Sequence, residues 1–281
     1  LSDAGRGPLL TAETHALLAQ ALATGATQCD CSLDLGQTVT PVGLATAGFS
    51  WGDAQYPWPA TIKARTIYHW NGSRFDPVSV YSGSLVKLVP TPWGPPTFEI
   101  DGIKMLPSAN ESPFEDARRK VELVGVSQRC VLDTCGGLGY FAAWCVRLGA
   151  TRVLSCEKNP SVLWLRDLNP WSPRPAAALE LRNVAIDTHI DTLADASFDV
   201  VLHDPPRFGI AGELYSRQFY AQLARVLKPG GTLFHYTGSP NRLTTGRDVQ
   251  GEVLRRLEDN GFRGRRALDG VLARSVLKSI R

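Results

Sequence analysis

The chain has 281 residues, with 30 Lys and Arg against 27 Asp and Glu and a formal charge of +3. That length can bury a full core and leaves room for one large domain plus a smaller one, while so small a charge excess does not mark a polyanion-binding protein. The 43% hydrophobic and 20% charged fractions are those of a globular chain. No apolar run is long enough to span a bilayer, and the first residues lack a basic stretch followed by an apolar signal core, so the expectation is a cytoplasmic protein without a membrane partner.

Residues 9–24, LLTAETHALLAQALAT, repeat Leu and Ala at helical spacing and stop at Gly25, which predicts an amphipathic N-terminal helix. From Cys29 to about Pro107 short alternating runs (SLDLGQTVTPV, RTIYHW, VSVYSGSLVKLVP, TFEIDGIKML) are punctuated by Gly, Pro and Asn71-Gly72, the pattern of a β-rich domain with a tight turn at Asn71-Gly72. Its aromatics Trp51, Tyr56, Trp58, Tyr68, Trp70, Trp93 and Phe98 read for the most part as that domain's own core, with one or two available as a lid over a bound cation. Cys29-x-Cys31 has no second ligand pair at a zinc-like spacing, and six cysteines in so long a chain make no disulfide framework; ordinary thiols and no metal are expected.

SANESPFEDARRKVELVGV opens a helix, with Ser112 as N-cap, Pro113 at the first helical position and Glu115 and Asp116 at the positive end of the dipole. From there strand-like segments (RCVLDTC, RVLSCEK, LELRNVAI, SFDVVLHD, TLFHYTG) alternate with helix-like ones. Buried, Val- and Leu-rich strands in that alternation predict a mostly parallel sheet covered by helices on both faces. The division expected is a helix and β-rich cover domain over 1–110, then a Rossmann-like catalytic domain over 111–281. The Arg-rich GFRGRRAL near the end reads as a solvated strand approach.

CVLDTCGGLGYFAAWC, residues 130–145, runs from a strand through a glycine-dense turn into a helix, which brings a ligand close to bare backbone at a helix start. Twenty residues on, RVLSCEKNP ends in Glu157, placed to accept from both hydroxyls of a ribose and to repel a 2′-phosphate. LRNVAIDTHID is read as placing Asp187 at a strand end, suited to an adenine amino group. FDVVLHDPPRF ends in Asp204-Pro205-Pro206, a stiff loop at the carboxyl ends of the sheet.

The joint order DTCGGLGY, CEKNP, AIDTH, HDPPRF and LKPGGTLF resembles the class I S-adenosylmethionine-dependent methyltransferases over residues 112–264. Within them, SPFEDARRKVELV, LNPWSP and HDPPRFGIAGELYSRQFY are similar to a branch of predicted archaeal and bacterial methyltransferases. The resemblance implies that Asp133, Gly136 and Gly139 line the pocket for the methionine moiety and nucleoside, that Glu157 binds the ribose and Asp187 faces the adenine. It also puts Asp204 and Pro205 at the border of the reacting centre. S-adenosylmethionine is then the implied cofactor or substrate.

Amino-methylating relatives carry an aromatic after the two prolines, but here Arg207 stands there and Phe208 follows. That departure, and the lack of a dense basic tract, point to a small-molecule substrate rather than nucleic acid. GGLGYF resembles the glycine loop of enzymes that transfer the aminocarboxypropyl chain of S-adenosylmethionine. The expected chemistry is therefore attack on that chain: the substrate's own α-amine displaces methylthioadenosine and closes azetidine-2-carboxylic acid, as in the bacterial azetidine-2-carboxylate synthases built on this fold. Methyl transfer to a small acceptor, or less favourably to RNA, and a non-catalytic, cofactor-binding subunit are the alternatives. For the cyclisation Asp204 or its neighbouring carbonyl orients the amine, and Tyr140, Tyr215 and Tyr236 read as candidate polar tips or equally as packing. His203 and His235 read as satisfied sheet-edge histidines or as proton relays.

Overall fold

The computed structural model describes residues 7–207, 209–238 and 248–276. The chain divides into two compact units, one of Leu1–Phe114 with Trp164–Ser172, the other of Glu115–Leu163 with Pro173–Arg281.

The first unit holds β1 (Leu9–Leu10), helix α1 (Ala12–Ala23) and ten further strands: β2 (Gln28–Cys31), β3 (Thr40–Ala45), β4 (Gly48–Trp51), β5 (Ala54–Pro57), β6 (Tyr68–Trp70), β7 (Phe75–Pro77), β8 (Ser79–Tyr81), β9 (Leu85–Val89), β10 (Thr97–Ile100) and β11 (Ile103–Lys104). They form three small antiparallel sheets. The helix begins at Ala12 rather than at Leu9, because the Thr11 side chain caps the Thr14 amide at 3.1 Å while Leu9 and Leu10 pair with β6. The Asn71-Gly72 turn is a four-residue connection between β6 and β7, in which the Asn71 side-chain oxygen accepts from the amides of Ser73 and Arg74, both at 2.9 Å.

Several aromatic side chains of this unit pack on one another, while Trp93, read from the sequence with the core aromatics, is exposed, as is Tyr81. Phe49 stacks on Tyr56 at 5.4 Å, Trp58 lies 5.4 Å from Phe49, and Trp70 meets Tyr56 edge-on at 5.4 Å. The indoles of Trp51 and Trp58 donate to Thr40 Oγ1 and the Ala45 carbonyl, both at 2.9 Å. Cys31 is buried in the same core beside Leu33 and Val42, and burial pushes its thiol up to about 11. Trp171, from the segment after the fourth helix, donates to the Leu35 carbonyl at 2.9 Å and packs 5.2 Å from Phe114. The segment Trp164–Ser172, which holds all of LNPWSP but its last proline, thereby belongs to the first unit although it follows Glu115–Leu163 of the second.

Helix α2 (Pro113–Val124) leads into the second unit, with the Ser112 hydroxyl accepting from the Phe114 amide at 3.2 Å. There follow β12 (Cys130–Asp133), α3 (Tyr140–Arg147), β13 (Arg152–Cys156), α4 (Pro160–Leu168), β14 (Leu179–Arg182), α5 (Ile186–His189), β15 (Phe198–His203), α6 (Arg217–Val226), β16 (Leu227–Tyr236), α7 (Val249–Glu258), β17 (Phe262–Ala267) and β18 (Gly270–Ser275). One seven-stranded sheet runs in the order β14-β13-β12-β15-β16-β18-β17, its first five strands parallel and β18 antiparallel to both of its neighbours, β16 and β17. Numbered within the sheet, that order is 3-2-1-4-5-7-6. It reverses between β12 and β15, so the crevice beyond their carboxyl ends is where an open α/β sheet receives a ligand.

Val131, Leu132, Val153, Leu154, Val200, Val201 and Leu202 are all buried, as strands covered on both faces require. Each such side chain contributes about 1.5–3 kcal/mol relative to exposure. Lys228-Pro229-Gly230-Gly231 interrupts the register of β16 against β15, and Lys228 Nζ bonds Asp199 Oδ1 at 2.8 Å to fix the break. The arginines Arg263, Arg265 and Arg266 of β17 are exposed on the outermost strand, as the solvated-strand reading of GFRGRRAL expects.

Candidate active site

At the end of β12 the Asp133 carboxylate is fully buried and accepts from the hydroxyl of its register partner Ser155 at 2.8 Å. The chain then turns through Gly136, whose amide donates to the Cys156 carbonyl at 2.7 Å, and Gly139, whose amide donates to the Gly136 carbonyl at 2.7 Å. Gly137 and Gly139 have φ of 49° and 80°, a left-handed backbone that favours glycine, and Gly139 caps α3. Glu157 follows β13 directly. Its Oε2 accepts from the Gly137 amide at 3.0 Å and its Oε1 from the Asn159 amide at 2.8 Å, so this carboxylate is oriented in part by the glycine turn.

Asp187 is placed differently from the sequence reading. Strand β14 stops at Arg182, where Asn183 turns out to donate to the carbonyls of Glu157 (2.8 Å) and Lys158 (3.1 Å). Asp187 consequently sits exposed in the first turn of the short helix α5, not at a strand end.

Asp204 follows β15. Burial pushes its carboxyl up to about 7, against the opposing pull of the Lys120 ammonium and with the Asp116 and Asp133 carboxylates adding to the rise. Pro205 is buried, and the Tyr215 hydroxyl donates to the Pro206 carbonyl at 3.2 Å, so Tyr215 pins the loop that carries Asp204. Arg207 is exposed and its carbonyl accepts from the Ile210 amide at 2.7 Å; Phe208 lies outside the described residues. Tyr236, at the end of β16, has its hydroxyl pKa raised by burial and by the Asp204 and Asp116 carboxylates. Tyr140 is buried in the first turn of α3.

The two histidines are satisfied side chains of the sheet. His203 Nε2–H donates to the Leu214 carbonyl at 3.1 Å, leaving Nδ1 to accept from the Thr134 hydroxyl at 2.7 Å. His235 Nδ1–H donates to the Tyr236 carbonyl at 2.8 Å and Nε2 accepts from Tyr220 at 2.9 Å. The rings meet edge-on at 4.4 Å, and burial lowers both, His235 to about 4. Both imidazoles are neutral and fully engaged, which favours the structural over the relay reading.

Sequence reasoning missed Asp116 and Lys120. They stand one turn apart on α2, and their side chains turn inward: Lys120 Nζ bonds Asp116 Oδ2 at 2.5 Å and lies 3.9 Å from the centre of the Tyr236 ring. The signal was present, since Lys120 occupies the same stripe as the buried Ala117, Val121 and Val124. Among the described residues no group of three or more His, Cys, Asp or Glu is placed to hold a metal ion, and no helix is long and apolar enough to cross a membrane.

A seven-stranded sheet of this order, with acidic side chains after successive parallel strands and a glycine turn at the switch point, is the class I methyltransferase fold. A 199-residue stretch is 44% identical to uncharacterized protein MJ1233 of Methanocaldococcus jannaschii, covering 70% of this chain and 68% of that one; the chain belongs to the MJ1233 family. Over 128 residues it is 34% identical to the polyamine aminopropyltransferase of Mycobacterium tuberculosis, covering 40% of this chain but only 23% of that enzyme. A solved spermidine synthase in complex with the transition state analogue AdoDATO shares the fold, with a TM-score of 0.55, 18% identity and coverage of 70% of this chain and 71% of that one. No protein-family model matches the sequence.

Proposed function

We propose that the second unit binds S-adenosylmethionine or a close sulfonium nucleoside and catalyses attack by an amine on the carbon chain beside the sulfonium, releasing methylthioadenosine. The observation that carries the proposal is Asp204: a carboxyl at the switch-point end of the sheet, held near neutral proton affinity by burial among other acids. The residues present fit the nucleoside. Glu157 is oriented by two backbone amides where the resemblance puts a ribose diol, Gly137 and Gly139 leave the turn bare, and Asp187, exposed in the first turn of α5, is the acid the resemblance assigns to the adenine amino group. The excess of carboxylates over Lys120 among Asp116, Asp133, Glu157 and Asp204 supports a cationic ligand.

The sulfonium, when bound, supplies an electrophilic carbon and a neutral thioether leaving group. Asp204 takes the proton from the attacking amine; the nitrogen lone pair forms the new carbon–nitrogen bond, and the carbon–sulfur pair departs with sulfur. Tyr215 holds the Asp204-Pro205-Pro206 loop in place through the Pro206 carbonyl. Tyr236 is the candidate hydroxyl beside Asp204, and Tyr140 the candidate at the glycine turn. In the acceptor-free form the amine belongs to S-adenosylmethionine itself and the product is azetidine-2-carboxylic acid. A second form is favoured by the similarity to an aminopropyltransferase: an external amine attacks a decarboxylated donor.

The test is product identification by mass spectrometry, first with S-adenosylmethionine alone, then with its decarboxylated form and a diamine. Methylthioadenosine above the uncatalysed background is expected. With a cyclic imino acid in the first incubation it supports cyclisation, and with an aminopropylated diamine only in the second it supports transfer. S-adenosylhomocysteine in the presence of an acceptor would overturn the proposal in favour of methyl transfer.

A further inference from the structure

Helix α2 is apolar along the face formed by Ala117, Val121 and Val124, yet that face also carries Asp116 and Lys120, which are 5% and 1% exposed. Removing an ammonium and a carboxylate from water costs several kcal/mol per ion before their attraction is counted, and an apolar pair of similar volume commonly gives equal or greater stability. Stability therefore does not explain the pair. Its position suggests a task. His203 and His235 are register partners on β15 and β16, so Asp204 and Tyr236, each one residue further on, leave neighbouring strands at the same level. Lys120 Nζ lies 3.9 Å from the centre of the Tyr236 ring and bonds Asp116, whose other oxygen is 3.7 Å from Arg119 Nη2.

We infer that the buried Asp116–Lys120 pair is a positioning element for the Asp204 carboxylate, with Lys120 fixed by Asp116 on one side and by the face of the Tyr236 ring on the other. The inference rests on the reading of Asp204 as proton acceptor. The ammonium is held by an anion and a π-face at the strand level of Asp204, and from there its charge opposes the rise that burial imposes on the Asp204 carboxyl. Asp116 tempers that effect. The other groups that bear on Asp204 are Asp133 at the end of β12, Cys135 in the glycine turn, Tyr215 before α6 and Tyr236; Arg207 acts on Tyr236. Lys120 alone among these opposes the accumulated negative charge at Asp204.

The test follows the Asp204 carboxyl directly. Its infrared band is isolated by difference against Asp204→Asn and titrated in the ligand-free wild-type protein, in Lys120→Met and in Asp116→Asn. The expected result is a midpoint raised by about one pH unit or more in Lys120→Met and lowered in Asp116→Asn, since the two variants remove opposite charges. A merely structural pair moves the midpoint in neither, or in the same direction in both, and either result overturns the inference. If one variant fails to fold, the direction in the other decides. In turnover, the acidic limb of the pH–rate profile should move with the midpoint. Midpoints that shift as expected in a protein releasing no methylthioadenosine retire the proposed reaction and leave the pair's role standing; methylthioadenosine release with unmoved midpoints retires the pair alone.

Discussion

Asp204 and Glu157 make opposite demands on their surroundings, and each can be tested alone. With its folded pKa raised to about 7 from an ordinary value near ~3.9, Asp204 keeps a proton that the unfolded chain gives up. Its contribution to stability is present below about pH 4 and is lost as pH rises through 7. Asp204→Asn should therefore be more stable than the wild type at pH 8, with the difference shrinking toward pH 5; thermal unfolding at the two pH values checks this, and an equal difference at both contradicts it. His203 and His235, held neutral by burial, act the other way, losing stability as pH falls below about 6.5, but they do so in both proteins and cancel. The same Asp204→Asn change should lower turnover about 100-fold or more if the carboxylate is the base. For Glu157→Ala, calorimetry with S-adenosylmethionine should show a loss on the order of 1.5–3 kcal/mol, a charge-assisted acceptor removed from a diol. Glu157→Gln, which still accepts from the Gly137 amide, should recover part of it. Unchanged affinity in a folded Glu157→Ala protein would remove the ribose assignment.

Among the elements, the turn between β12 and α3 was the most legible in the sequence. Two of its glycines, Gly137 and Gly139, sit where the backbone is left-handed, and Gly139 at φ 80° would strain any β-branched replacement. Gly139→Val is expected to abolish nucleoside binding while circular dichroism stays native; normal binding would show that the turn is only structural. Helix α2 was half legible. Its cap at Ser112 and proline at the first position were plain, but a Lys four residues after an Asp reads by default as an exposed ion pair, and only the packing reveals that this one faces inward. Asp187 failed for a related reason, because nothing in LRNVAIDTHID announces that Asn183 leaves the strand to bond two carbonyls of the neighbouring loop. Trp51, Trp58 and Trp70 have partners within the first unit, in line with the core reading, whereas Trp93 is exposed and departs from it. Trp58→Leu and Trp70→Leu should each cost about 1–3 kcal/mol in denaturant unfolding, through lost ring packing; changes within a few tenths would free those rings for another role.

At the level of the molecule, the alternation of strands and helices after residue 112 specified a parallel, doubly covered sheet, and the 3-2-1-4-5-7-6 order is what that alternation built. The segment Trp164–Ser172 was less visible, since a chain that leaves one unit and returns to the other carries no periodicity of its own; its tethers include the Trp171 indole bonded to the Leu35 carbonyl and packed on Phe114, the Gln37 amide on the Pro170 carbonyl, and Trp164 edge-on to His69 at 5.9 Å. The reaction was least legible of all. A sheet of this class receives its ligand in the same crevice whether the methyl group or the carbon chain is attacked, and an acid that takes the proton of an attacking amine, the role proposed for Asp204, serves both reactions. The most direct measurement is therefore the fate of the methyl group. With S-adenosylmethionine carrying a 13C-labelled methyl, or the equally labelled decarboxylated donor with a diamine, the label is predicted to stay on the nucleoside and appear in methylthioadenosine. Label carried off to an acceptor, with unlabelled S-adenosylhomocysteine left behind, would contradict the account.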